Sequence, residues 1–191
     1  LVMDATQKVV FNTVILYLKI LVTMAVSLVS VPLVLKTLGT SDYGLYNLVA
    51  GIITMLAFLN NSMLVSSQRY MSVAMGEGKV DRINSIYNTS FILHLSLAIL
   101  IVLGLELLGV PSIEKLNIDS NRVTVAQIIF QFLIISTFSR ILSVPFDAIM
   151  NAHEDMLPFS IIEFIDSILM LIVAFTLRFV LIDKLVFYGG C

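Results

Sequence analysis

The sequence holds one cysteine, Cys191, and it is the last residue. An intrachain disulfide is therefore excluded, and cysteine usage says nothing about redox compartment. Two histidines and no cysteine pair argue against a structural metal site. No basic cluster with interleaved aromatics occurs, which argues against nucleic acid as a partner. Neither H-E-x-x-H nor G-x-S-x-G is present, and no cofactor is expected. No small-residue cleavage site follows the first apolar run, so no cleavable signal peptide is expected. Charge is scarce too. Only 13% of residues are charged, about half the share in soluble domains.

What is present is apolar. Hydrophobic residues make up 59% of the chain and the mean hydropathy is +1.02, which defines an integral membrane protein. The expected fold is an all-α, polytopic transmembrane helix bundle. Helices are expected over about 12–35, 43–75, 83–108, 121–150 and 159–182, with LVFYGGC opening a sixth. Residues 1–191 read as a single transmembrane domain. The chain starts at Leu1 rather than Met and stops beside a new hydrophobic start, so it is expected to be a fragment.

The stretch from Ser41 to Gly78 organises the rest. No Asp, Glu, Lys or Arg lies between Asp42 and Arg69, a span longer than the roughly 20 residues that cross a bilayer. Asn47, Gly51, Thr54, Asn61 and Gln68 fall at helical spacings, which puts them on one face. A polar face in hydrocarbon turns either to other helices or to a wet cavity. At 1.5 Å per residue a helix over 43–75 is roughly 50 Å long. It must tilt, bend near Asn60–Asn61, or project.

In helix one, Lys19 lies inside the apolar run and must snorkel, meet a carboxylate, or line a cavity. Pro32 is expected to bend that helix. Gly39 can stop it, and Ser41 or Asp42 can cap the next. Arg69 closes helix two. In helix three, Tyr87, Ser90 and His94 share a face, and His94 is either a proton carrier or a packing residue. Glu106 to Arg122 reads as the longest hydrophilic segment. Arg140 and Asp147 share a face about 10.5 Å apart, too far for a direct pair, and Pro145 between them is expected to interrupt the helix. Glu163 and Asp166 sit close enough to disfavour double ionisation, unless one meets a cation or both face water. Loop lysines and arginines favour a cytoplasmic N-terminus only weakly.

Five segments resemble the polysaccharide-biosynthesis membrane proteins, the lipid-linked oligosaccharide (O-antigen type) flippases of the MATE-like transporter superfamily. They are LKTLGTSDYGLYNLVAGIITMLAFLNNSM, SSQRYMSVAMGEG, SVPFDAIMNAHEDM, FSIIEFIDSILML and DKLVFYG, in family order. The resemblance implies two lobes of about 12 to 14 helices, alternating access, and a multi-pass protein of the bacterial cytoplasmic membrane with its N-terminus inside. This chain matches the N-terminal lobe alone, so a second lobe or second copy is implied as partner, beside the lipid bilayer and the lipid-linked substrate. Against a pyrophosphate-bearing substrate, Lys19, Arg69 and Arg140 are the candidate cations. Asn47, Asn61 and Gln68 are candidates for sugar hydroxyls. Asp147, Glu163, Asp166 and His94 are candidates for ion coupling. Lys19 stands where relatives commonly carry arginine, which keeps the charge and loses the bidentate fork.

Two rivals stand beside this reading. A cation-coupled MATE-type drug exporter would use the same carboxylates. A membrane-embedded transferase would need His153, Glu154 and Asp155 as a catalytic set, yet adjacent helical residues point in different directions.

Overall fold

The computed structural model describes residues 5–55, 57–113, 115–116, 118–153 and 156–191. They are helical almost throughout, and no strand occurs among them. Four described stretches are long and apolar enough to cross a membrane: Val9–Gly51, Val80–Ile113, Ser120–Ala152 and Ser160–Phe179. Their outward positions carry exposed Leu28, Leu100, Ile135 and Phe175, as a lipid-facing surface requires.

Helix α1 (Ala5–Thr54) is two helices joined at a kink. Gly39 forms that kink with φ 83° and ψ 166°, a conformation open essentially to glycine alone. Pro32 lies within the first arm. Helix α2 (Ala57–Gly76) follows. The single helix expected over 43–75 is thus broken, and the break falls at Met55 rather than at Asn60–Asn61. The two pieces bury different residues, and both pack on the helix α5 defined below. Val49 of the second α1 arm is fully buried in a cluster with Ile129, Phe130 and Leu185. Met71 and Ala74 are fully buried on α2, which packs against the helices α3 and α5 defined below.

Helix α3 (Val80–Gly104) continues through a π turn (Leu105–Gly109) into the short α4 (Val110–Ile113). The hydrophilic loop expected from Glu106 therefore starts later. Pro111 has no N–H to give Leu107, and the π turn, in which Val110 N–H donates to Leu105, absorbs the mismatch. Ile113 is fully buried and fixes this extension to the core. A 3-10 turn (Ser120–Arg122) leads into α5 (Val123–Ala152), where a helix is expected over about 121–150. Pro145 does not interrupt α5. It is fully buried inside a continuous helix, where tight packing holds the chain helical despite the missing N–H. Helix α6 (Met156–Thr176) ends in a 3-10 turn (Leu177–Phe179), and the short α7 (Lys184–Gly190) follows, where the sequence opens a further apolar run.

Helix α5 is central. Helices α2 and α3 pack on it, while α1 packs chiefly on α6. The helices alternate in direction, so the Gly39 kink, Arg122 and Asp183 meet at one end. Arg122 Nη2 donates to Asp42 Oδ2 at 2.7 Å and its Nη1 to Asp183 Oδ2 at 2.5 Å. Asp183 also caps α7, accepting from the backbone N–H of Leu185 at 2.9 Å. Two apolar clusters fill this end, one around Phe130 and one around Val34, Ala174 and Leu177. At the opposite end the α2–α3 loop is tied by Glu77, which accepts from Arg82 at 2.5 Å and pairs with Lys79 at 3.1 Å. Those two bonds hold the exposed Glu77 carboxyl below its ordinary value.

Candidate functional site

Lys19 resolves its three alternatives by meeting a carboxylate. Its ammonium pairs with Glu163 across the α1–α6 interface. The lysine side chain is 20% exposed and the glutamate 36%, so the pair is only partly shielded from solvent. Around it lies a groove of about 380 Å³ walled by Ile15, Leu18, Val22, Ile161 and Phe164. Ser160 shares this wall, and its buried hydroxyl has no hydrogen-bond partner. Thr23 is a further polar group on a wall that is otherwise largely apolar. A charge there needs its counter-charge on the facing helix.

Asp147 on α5 joins the same cluster. Its Oδ2 accepts from Ser143 Oγ at 3.2 Å, and the charges of Arg140 and Glu163 both reach it. Arg140 makes no direct ion pair among the described residues, as the seven-residue spacing implies. Lys19 and Glu163 form the ion pair, and Asp147 on α5 is within the electrostatic reach of Glu163 and of Arg140.

The remaining candidates lie elsewhere. Asp166 is exposed and lines a hollow with Tyr46 and Tyr188, apart from the Lys19 pair. Asn47 is exposed, and its Nδ2 donates to Tyr43 O of its own helix at 2.8 Å. The break at Met55 separates Asn47 from Asn61 and Gln68, so these amides do not form one helical face. Arg69 is exposed on α2 and makes no ion pair among the described residues. His94 is buried on α3, with Nδ1 2.6 Å from Ser90 O. His153 ends α5 with Nδ1 2.9 Å from Ile149 O, while Glu154 and Asp155 lie outside the described residues.

The MatE family model matches residues 14–176, which include every candidate residue above. The chain belongs to the MatE family. MatE proteins are membrane transporters of the MATE-like superfamily and not enzymes. No curated protein and no solved structure matches this MatE chain. The charged cluster of α1, α5 and α6 lies within the matched region, whereas α7 and its Asp183 cap lie beyond it.

Sequence reasoning missed two features. Arg122 bonds to residues 80 and 61 positions away, and no local pattern signals such a pairing. Ser67 on α2 meets Ser90 on α3 at 3.0 Å, although the shared face of Ser90 and His94 was a partial signal.

Proposed function

We propose that this MatE chain forms the N-terminal lobe of a flippase for a lipid-linked oligosaccharide. It would act by alternating access in a bacterial cytoplasmic membrane, N-terminus inside, together with a second lobe or second copy. The observation that carries this reading is Lys19, paired with Glu163, on the wall of a largely apolar groove. A pyrophosphate can replace Glu163 as the partner of Lys19, so the cation need never stand alone in low dielectric. Arg140, whose charge reaches Asp147, would supply a second positive charge, and the apolar groove walls suit the lipid portion. The substrate's charge and its lipid are thus both provided for along the α1–α6 seam.

A second reading rests on Asp147. Its carboxylate and that of Glu163 lie within electrostatic reach, which suits a MATE-type exporter that binds Na⁺ or H⁺. One experiment separates the two. Wild type, Lys19→Ala and Lys19→Arg are expressed at equal membrane abundance in cells lacking the gene. The flippase reading expects Lys19→Ala to cut surface polysaccharide at least about tenfold, with precursor accumulating in the inner leaflet, and Lys19→Arg to keep it. Unchanged polysaccharide together with lost resistance to cationic drugs would replace it with the exporter reading.

A further inference from the structure

A second concavity, separate from the charged cluster, lies between α2 and α3. Its volume is about 370 Å³, within the range of about 300–1,000 Å³ for small-molecule sites. Helix α2 contributes the hydroxyls of Ser66, Ser67 and Tyr70, and α3 those of Ser85, Thr89 and Ser90. Between them Met63, Ile86 and Leu93 supply apolar surface. No charged side chain among the described residues lines the groove. His94 stands at its deep end, 2% exposed. Its Nδ1, 2.6 Å from Ser90 O, is held as the N–H donor to that carbonyl. In that tautomer Nε2 is an acceptor, and it is buried with no hydrogen-bond partner among the described residues. Leaving a buried acceptor unsatisfied is costly, so such an atom marks a place where a donor belongs.

We infer that this groove is a binding site for an uncharged sugar ring, such as a glycolipid headgroup. Hydroxyls along both walls can donate or accept as a sugar's own hydroxyls demand. The apolar strip fits the C–H face of the ring. A sugar hydroxyl donates to His94 Nε2 and supplies the missing partner. A phosphate or carboxylate is disfavoured, because nothing in the groove would neutralise it. The site stands independently of the Lys19 cluster and of which transport reading holds.

The test is made on the whole chain in phosphatidylcholine nanodiscs, with His153→Gln leaving His94 as the one histidine to observe. Monoglucosyl diacylglycerol is titrated in, and the ¹⁵N resonances of the ring are followed. A saturable shift confined to Nε2 is expected, with affinity weakened about tenfold by Ser66→Ala and Thr89→Val together. Methyl glucoside in solution distinguishes the source. A shift with it as well assigns the site to free and lipid-borne sugars alike, and a shift with the glycolipid alone assigns it to headgroups. No shift with either probe overturns the inference. So does a shift produced by phosphatidylcholine alone, or one that the double variant leaves unchanged. None of these readouts involves transport, so they fail or succeed separately from Lys19→Ala.

Discussion

Phe130 is completely buried, and its ring lies where a side chain on residue 109 would have to go. A Cβ on Gly109 would stand 2.5 Å from ring atom Cζ and 2.8 Å from Cε1. The ring cannot swing clear, because Ile113, Ile129 and Ile134 fill the same cluster. Gly109→Ala is therefore expected to destabilise the bundle by about 1–3 kcal/mol, the usual cost of overpacking. Apparent melting in detergent checks this. Phe130→Leu in the Gly109→Ala background should recover part of the loss. If the double variant is no more stable than Gly109→Ala alone, the ring contact is not the cause. Lys19 is the other residue whose setting was partly legible. Its place inside an apolar run demanded a special partner, and a carboxylate was one of three solutions. Which carboxylate it meets depends on how α1 packs on α6, and spacing along the chain does not encode that.

Among the elements, α1 is the most constrained by a single position. With Gly39 at φ 83° and ψ 166°, the second arm of α1 turns so that Asp42 reaches Arg122. Any side chain at residue 39 opposes that turn at a cost of order 1–3 kcal/mol. Gly39→Ala should lower stability by this amount, and it should do so partly by breaking the Asp42–Arg122 bond. A double-mutant cycle reads this directly. Arg122→Ala should cost clearly less in the Gly39→Ala background than in wild type. Full additivity would mean that the kink and the ion pair are unconnected. The sequence pointed to a stop at Gly39, since glycine and the polar residues beside it end helices. It did not show that the helix would resume at once, nor that Asp42 would serve an ion pair. Both outcomes depend on a distant arginine.

At the scale of the whole molecule, Arg122 joins three segments far apart in the chain. Asp42 follows the kink, Arg122 opens α5 and Asp183 opens α7. Burial works to raise the Asp183 carboxyl. The Leu185 N–H, the Arg122 guanidinium and the Val186 N–H outweigh it and hold it below the ordinary carboxylate value. A depressed carboxyl contributes stability above its unfolded value and loses that contribution as pH falls through the folded one. Wild type should therefore exceed Arg122→Ala by about 1 kcal/mol near neutrality, or about 2–4 °C in melting temperature. The gap should close below the ordinary carboxylate range. A gap that persists in acid would assign the effect to packing instead. The helical membrane class was legible because composition alone carries it. The boundaries of α5 were close to the sequence expectation of 121–150, because apolar length and the polar segment before it agree. The break at Met55 was not legible. Either half of that stretch reads as helix, so no local pattern marks Met55 as the junction.

The Lys19–Glu163 pair has a consequence for how the chain is made. The two residues are 163 − 19 = 144 positions apart. At about 5–20 residues per second, synthesis of Glu163 trails that of Lys19 by roughly 7 to 30 s. Throughout that interval the first helix carries a lysine with no counter-charge from α6, at a position where insertion of a lone lysine is penalised by up to about 3 kcal/mol. The leucines, isoleucines and valines around it outweigh that penalty, so the helix can enter the bilayer first, with the lysine snorkelling or hydrated until its acidic partner emerges.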